Sequence, residues 1–295
     1  MNLKKISLAF VFFILALAGP LPGPAAALAG HFLWRVESPG GGRIFVAGSI
    51  HLARAGLYPL PPAIMEAFGQ SAVLAVEINT EAVPDRVMRN FLNRRGRSKD
   101  PRPLLERLSP ATRQALERSG FYSPDLDPLA PWLAALAIQT EALGRQGFSS
   151  QYGLDKYFID LASQRGLEIV ELETLEEQMG PLAAMSPEEA DLFLRSAIEE
   201  MDDLPGTVNA FLDSWRRGEV EAFAALFFQE YDRYPALRPL LDRVIYQRNE
   251  RLAAGIRDLL ESGARAFVVV GAGHLVGERS VLEHLARLGH RVTQL

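Results

Sequence analysis

The chain has 295 residues, 48% of them apolar, with a formal net charge of −5 and no cysteine. The missing cysteine excludes disulfide staples, thiol nucleophiles, cysteine zinc sites and lipidation at an N-terminal cysteine. The mildly negative balance speaks against nucleic acid as a partner, and stability must come from apolar burial.

Lys4 and Lys5 precede a nearly continuous apolar run from Ile6 to Gly19, and Ala27-Leu-Ala29 supplies a small-x-small cleavage site. This is the layout of a secretory signal peptide, and its core is shorter than the roughly 20 residues a spanning helix needs. Cleavage is expected after Ala29, leaving residues 30–295 as one domain. No second run of that length follows, so no stable membrane span is expected in the mature chain, and its expected location is periplasmic or secreted.

Phe32–Glu37 and Arg43–Ala47 read as strands of a hairpin closed by Ser38-Pro-Gly-Gly-Gly42. Gly48-Ser-Ile-His51 follows, then the proline-rich loop Leu57–Pro62, a short helix Ala63–Gly69 and a buried strand Ala72–Ile78 whose one charge is Glu77. From 84 to 146 apolar residues recur at helical spacing between prolines, which predicts several short helices in an insertion. A helix over Leu154–Arg165 ends at Gly166, a glycine C-cap, and Leu167–Leu172 is the next strand. Pro187–Gly263 is helical again. Ala266–Val270, Glu278–Leu288 and Arg291–Gln294 close the chain as strand, helix and strand. The predicted class is α/β (or α+β), a mixed central sheet built from the N- and C-terminal segments with a large helical middle region.

Chemistry concentrates at a repeated pattern. Val46-Ala-Gly-Ser-Ile-His-Leu52 and Val269-Val-Gly-Ala-Gly-His-Leu275 each close a strand with a glycine three residues before a histidine. In α/β sheets functional loops lie beyond the carboxyl ends of strands, so His51 and His274 can converge if both strands share one sheet. Either histidine alone would as readily cap its loop by hydrogen bonding. Glu77 and Glu173 also follow strand ends; a buried acid there needs a partner, whereas an exposed one needs none. Glu176 and Glu177 start a helix, where acids complement the dipole, and Asp155 is most simply the same kind of acid. Arg248 and Asn249 can orient a carboxylate or stabilise an oxyanion, or lie on a solvated helix face. His31, His284 and His290 lack the motif, and Trp132 and Trp215 suit the core. Histidines with carboxylates and no thiolate suit Zn²⁺ or Mn²⁺, an ion that lowers the pKa of a bound water. The Gly-x-Gly-x-x-x-Gly spacing at Gly271–Gly277 does not fit a dinucleotide fingerprint, and no Gly-x-Ser-x-Gly serves a serine hydrolase.

At these residues the sequence resembles the TraB/PrgY/GumN family, which includes the TIKI proteins and has ChaN-like and erythromycin-esterase-like relatives. The resemblance covers nearly the whole mature chain: Leu33-Trp34, Gly48-Ser-Ile-His51, Leu57-Tyr-Pro-Leu-Pro61, Val76-Glu77, Gly153-Leu-Asp155, Leu172-Glu-Thr174, Trp215, Arg248-Asn249 and Gly271–Gly277. Ser49 stands where threonine is usual. The resemblance implies a metal-dependent protease site at His51, His274, Glu77 and Glu173, with Arg248 as a supporting charge.

The expected function is therefore an exported metal-dependent hydrolase of peptidase type. His51, His274 and Glu77 are its expected metal ligands, Glu77, Glu173 and Arg248 its catalytic groups, and Asn249 and Glu177 its substrate contacts. The expected partner is a peptide or other small extracytoplasmic substrate. The alternative is a non-catalytic binding protein that sequesters such a ligand, and haem capture by exposed histidines, as in the ChaN-like relatives, ranks third.

Overall fold

A computed structural model describes residues 30–295, so the expected signal peptide and its expected cleavage after Ala29 lie outside the described residues. Six strands form one sheet: β1 (Leu33–Glu37), β2 (Arg43–Ser49), β3 (Val73–Val76), β4 (Glu168–Glu171), β5 (Ala266–Gly271) and β6 (Arg291–Gln294). Their order is β4-β3-β5-β2-β1-β6. The neighbours β4, β3, β5 and β2 run parallel, whereas β1 is antiparallel to both β2 and β6. The mixed sheet expected from the two ends of the chain is thus the one observed.

Sequence explains the positions. The run Ala266-Phe-Val-Val-Val-Gly271 is buried throughout, as a parallel strand covered on both faces must be, and it takes the middle of the sheet. The edge strands β4 and β6 instead place Glu168, Glu171, Arg291 and Gln294 toward solvent, which discourages pairing with a second chain. Between β1 and β2, Gly41 adopts φ 88° and its N–H donates to Ser38 O at 3.0 Å, closing the hairpin where the glycine run predicted it. Two boundaries differ from the sequence reading in a way that matters: β2 continues through Ser49, and β3 stops at Val76, which leaves Glu77 in the loop.

Helices Pro62–Gly69 and Leu154–Arg165 pack on the sheet through Phe68, Phe158 and Phe267, whose ring centroids stand 4.8–5.5 Å apart. Gly166 ends the second helix at φ 66°, the left-handed cap expected of it. The middle region is mostly helical. Pro131–Arg145 buries most of its length and packs on Pro187–Glu199, within the same contiguous core as the sheet. Helices Leu204–Arg216 and Val220–Arg233 bring aromatics over the end of β2: Trp215 Nε1 donates to Gly48 O at 2.8 Å, and Phe223 packs on Phe32 at 4.9 Å. Trp132 and Trp215 are both core residues. Among the described residues, no helix is long and apolar enough to cross a membrane.

Candidate active site

Four adjacent parallel strands end in the four residues singled out for chemistry. Across the sheet from β4 to β3, β5 and β2, the loops beyond their carboxyl ends carry Glu173, Glu77, His274 and His51 in that order. The register makes them neighbours. Glu173 N–H donates to Glu77 O at 2.8 Å, and Ser49 pairs with Gly271 across the β2–β5 ladder.

Arg248, on helix Gln247–Glu261, reaches into the acidic half of this row. Its Nη2 donates to Glu77 Oε2 at 2.7 Å and to Glu173 Oε2 at 2.6 Å, its Nε to Glu173 Oε1 at 2.9 Å, and its Nη1 to Val244 O at 3.2 Å. Glu77 also accepts from Gln178 Nε2 at 3.1 Å and from the Gly271 N–H at 2.5 Å. One carboxylate thereby ties the loop after β5 to the loop after β3. Arg248 and the Glu173 side chain are both 0% exposed, so this guanidinium meets carboxylates rather than solvent. Such a group is a positioning device: removing one member strands buried charge.

The two imidazoles are each held at Nδ1 by an acceptor from a helix. His51 Nδ1 lies 2.9 Å from Asp155 Oδ1, and Ser49 Oγ donates to the same oxygen at 2.9 Å. His274 Nδ1 lies 2.5 Å from Asn249 Oδ1, while Asn249 Nδ2 donates to Arg279 O at 2.7 Å and so fixes which way the amide faces. An Nδ1–H donated to these oxygens leaves Nε2 as the basic nitrogen of both rings, the arrangement found where imidazole acts as a base or a metal ligand. His274 Nε2 stands 3.9 Å from Glu77 Oε1.

Their protonation diverges. Burial lowers the pKa of His51, but the charge of Asp155, its hydrogen bond and the charge of Glu77 outweigh that and raise it above the ordinary imidazole value. Burial and the Arg248 charge hold His274 well below that value, so it is neutral at pH 7. Burial pushes the Glu77 carboxyl up, yet the opposing charges of His274, Arg248 and His51, with the Gly271 N–H, bring it down to about 2. With His274 neutral at pH 7, Arg248 is the main cation acting there. Burial raises the Glu173 pKa despite Arg248, helped by the like charge of Glu77. Two carboxylates sharing one guanidinium thus divide: Glu77 holds the charge more firmly.

Of the residues expected at the site, Glu77, Glu173 and Arg248 form one hydrogen-bonded group and Asn249 and His274 another, the two meeting where His274 Nε2 stands 3.9 Å from Glu77 Oε1; His51 lies near enough for the charges of Glu77 and Arg248 to act on it. Asn249 is 1% exposed and is used up on His274 and Arg279 O. Glu177 stands apart. It completes a capping box with Thr174 at the start of helix Leu175–Ala183, and the Thr174-x-x-Glu177 spacing is the sequence signal for that role. Asp155 is the residue whose part in the site the sequence reading missed. It does open helix Leu154–Arg165, but its carboxylate is turned to His51.

The expected ion ligands, His51, His274 and Glu77, do not make a metal set as they stand. Glu77 accepts hydrogen bonds on both oxygens, and among the described residues no group of three or more histidine, aspartate or glutamate side chains is placed to share one ion. The two Nε2 atoms are suitable donors in kind, but a catalytic zinc is held by three protein ligands.

The chain is 25% identical over 272 residues to Uncharacterized protein YbaP of Escherichia coli (strain K12), covering 88% of this chain and 96% of that protein, and a protein of the same name from Shigella flexneri matches equally. It is 24% identical over 161 residues to Metalloprotease TIKI homolog of Amphimedon queenslandica, covering 47% of this chain and 32% of that protein. No solved structure gives a significant match. The family model for TraB/PrgY/gumN aligns with residues 32–294, from the first strand of the sheet to the last, and the chain belongs to the TraB/PrgY/gumN family.

Proposed function

We propose that the mature chain is an exported hydrolase of peptide bonds in which His51 is the acid–base group. The observation that carries this reading is the placing of two imidazoles at the ends of neighbouring strands, His51 Nδ1 2.9 Å from the Asp155 carboxylate and His274 Nδ1 against the Asn249 amide, so that one is pushed up by Asp155 and the other held neutral by burial and Arg248. Paired titratable groups whose surroundings separate their pKa values mark acid and base roles. His51 Nε2 takes a proton from water as the oxygen attacks the amide carbon, and returns it to the departing amine as the C–N bond breaks. Asp155 supports the imidazolium that forms between those steps. His274, Asn249, Arg248, Glu77 and Glu173 set the position of the loop after β5 and the field around His51.

The name of the Amphimedon queenslandica relative makes that protein a metalloprotease, which supports the choice of peptides as substrate. A divalent ion bound here would draw on Nε2 of His51 and His274 and would acidify a bound water, but Glu77 would first have to release Arg248 or Gly271. No step above is assigned to it. The test is incubation of the purified mature chain with a peptide library, followed by mass spectrometry, with and without chelator and added Zn²⁺ or Mn²⁺. Products that disappear in His51→Gln support the reading. Stoichiometric capture without product favours the binding-protein alternative instead.

A further inference from the structure

Helix Leu175–Ala183 and the helical run that carries Arg243 and Arg251 border an open groove of about 370 Å³, within the size range of small-ligand sites. One side of it is built from the small residues Gly180, Pro181 and Ala184. Gly180 and Pro181 lie inside a helix, where each costs stability, yet apart from its own helix backbone a Cβ on Gly180 would meet nothing closer than Glu176 Oε1 at 3.5 Å. Crowding within the chain therefore does not require the glycine; what it keeps clear is the groove. Three guanidiniums line the same space and are unequally satisfied. Arg95 pairs with Glu176 at 2.6 Å, and Arg243 reaches both oxygens of Glu189 at 2.9 and 3.0 Å. Arg251 has only Glu173 Oε1 at 3.8 Å, on a carboxylate that Arg248 already holds at 2.6–3.1 Å, and among the described residues no carboxylate stands closer to it.

We infer that this groove binds a short peptide segment through one carboxylate, with Arg251 as the anchor and Gly180 giving the peptide backbone room. A guanidinium short of acceptors is suited to a carboxylate, which it can hold by two parallel hydrogen bonds. Glu176 and Glu177 also line the groove, so a polyanion of uniform charge is repelled there, whereas a peptide brings N–H donors as well as its one negative charge. A chain terminus and an aspartate or glutamate side chain present the same group, and the test separates them. The inference does not rest on the hydrolase reading, because binding is measured without turnover.

The test is calorimetry on the purified mature chain at pH 7. Its ligands are Ac-Ala-Ala-Ala-Ala with a free terminus, Ac-Ala-Ala-Asp-Ala-amide, the uncharged Ac-Ala-Ala-Ala-Ala-amide and inorganic phosphate. At least one charged peptide should bind ~10-fold or more tightly than the uncharged one, and the one that does so identifies the source of the carboxylate. Arg251→Gln, at a side chain 41% exposed, should erase that preference. Gly180→Leu, where a side chain has space, should weaken the charged peptides by filling the groove. Equal binding of charged and uncharged peptides, no binding of any, or wild-type binding in either folded variant would overturn the inference. Phosphate that displaces the charged peptides at equal affinity would overturn the assignment to peptides.

Discussion

Asp155 Oδ1 accepts from His51 Nδ1 at 2.9 Å across 104 residues of sequence, and this bond sets both the tautomer and the basicity of the ring. Asp155→Asn keeps an oxygen in place but removes the charge that raises the His51 pKa. The limb of kcat/KM that rises as His51 loses its proton should move to lower pH, and the plateau should fall about 10²–10⁴-fold. Stability carries the same signature. A raised imidazole pKa stabilises the fold fully below the ordinary value of 6.5 and ceases to do so as pH climbs through the folded value. The deficit of Asp155→Asn in urea unfolding should accordingly be larger at pH 5.5 than at pH 8.5; equal deficits would count against the assignment.

Arg248→Met leaves Glu77 and Glu173 buried without their cation. Unfolding by urea at pH 7 should show a loss of about 3–5 kcal/mol, partly recovered when Glu77→Gln and Glu173→Gln are added. In the unaltered chain, the Glu77 contribution is present above its ordinary pKa of 4.5 and is lost as pH falls toward about 2. That loss should be missing from Glu77→Gln. An Arg248→Met protein as stable as the parent would show that the ion group does not hold the loops.

Much of this site can be read from sequence because backbone and burial demand particular residues. The valine-rich β5, the glycines before His51 and His274, and Glu77 after an apolar strand each have one dominant physical explanation. Asp155 shows where that reasoning stops. An acid in the first turn of a helix is sufficiently explained by the helix dipole, so nothing local reveals that its carboxylate meets a ring from a distant loop. Asn249 is similar: its neighbours Gln247 and Glu250 suggest a solvated face, yet helix Gln247–Glu261 turns Arg248 and Asn249 inward together. Glu177 went the other way, because a capping box accounts for it locally.

Asn249→Ala removes the acceptor that holds His274 Nδ1 and leaves Arg279 O without its side-chain donor. A cost of about 1–3 kcal/mol is expected in thermal or urea unfolding. Asn249→Asp keeps an acceptor against the ring but gives up the donor to Arg279 O; the carboxylate charge should raise the His274 pKa toward the neutral range, as followed by NMR. An unchanged His274 titration in Asn249→Asp would mean the contact is not formed in solution.

Gly273 is needed for close packing. A Cβ at this position would stand 2.5 Å from ring carbons of Phe227, which is buried. Gly273→Ala should destabilise by about 1–3 kcal/mol through overpacking, and Phe227→Leu should restore part of it. Measured together, the two substitutions should be clearly non-additive; simple addition would place the ring elsewhere.

The central claim is that the two strand-end histidines are driven apart in pKa, one to move protons and one to stay neutral. An NMR titration of the imidazole nitrogens between pH 4 and 9, assigned with His51→Gln and His274→Gln, addresses it directly. The account predicts that His51 titrates above 6.5 with its proton on Nδ1 in the neutral form, while His274 stays neutral well below 6.5. Two histidines titrating together near 6.5, or the order reversed, would contradict it.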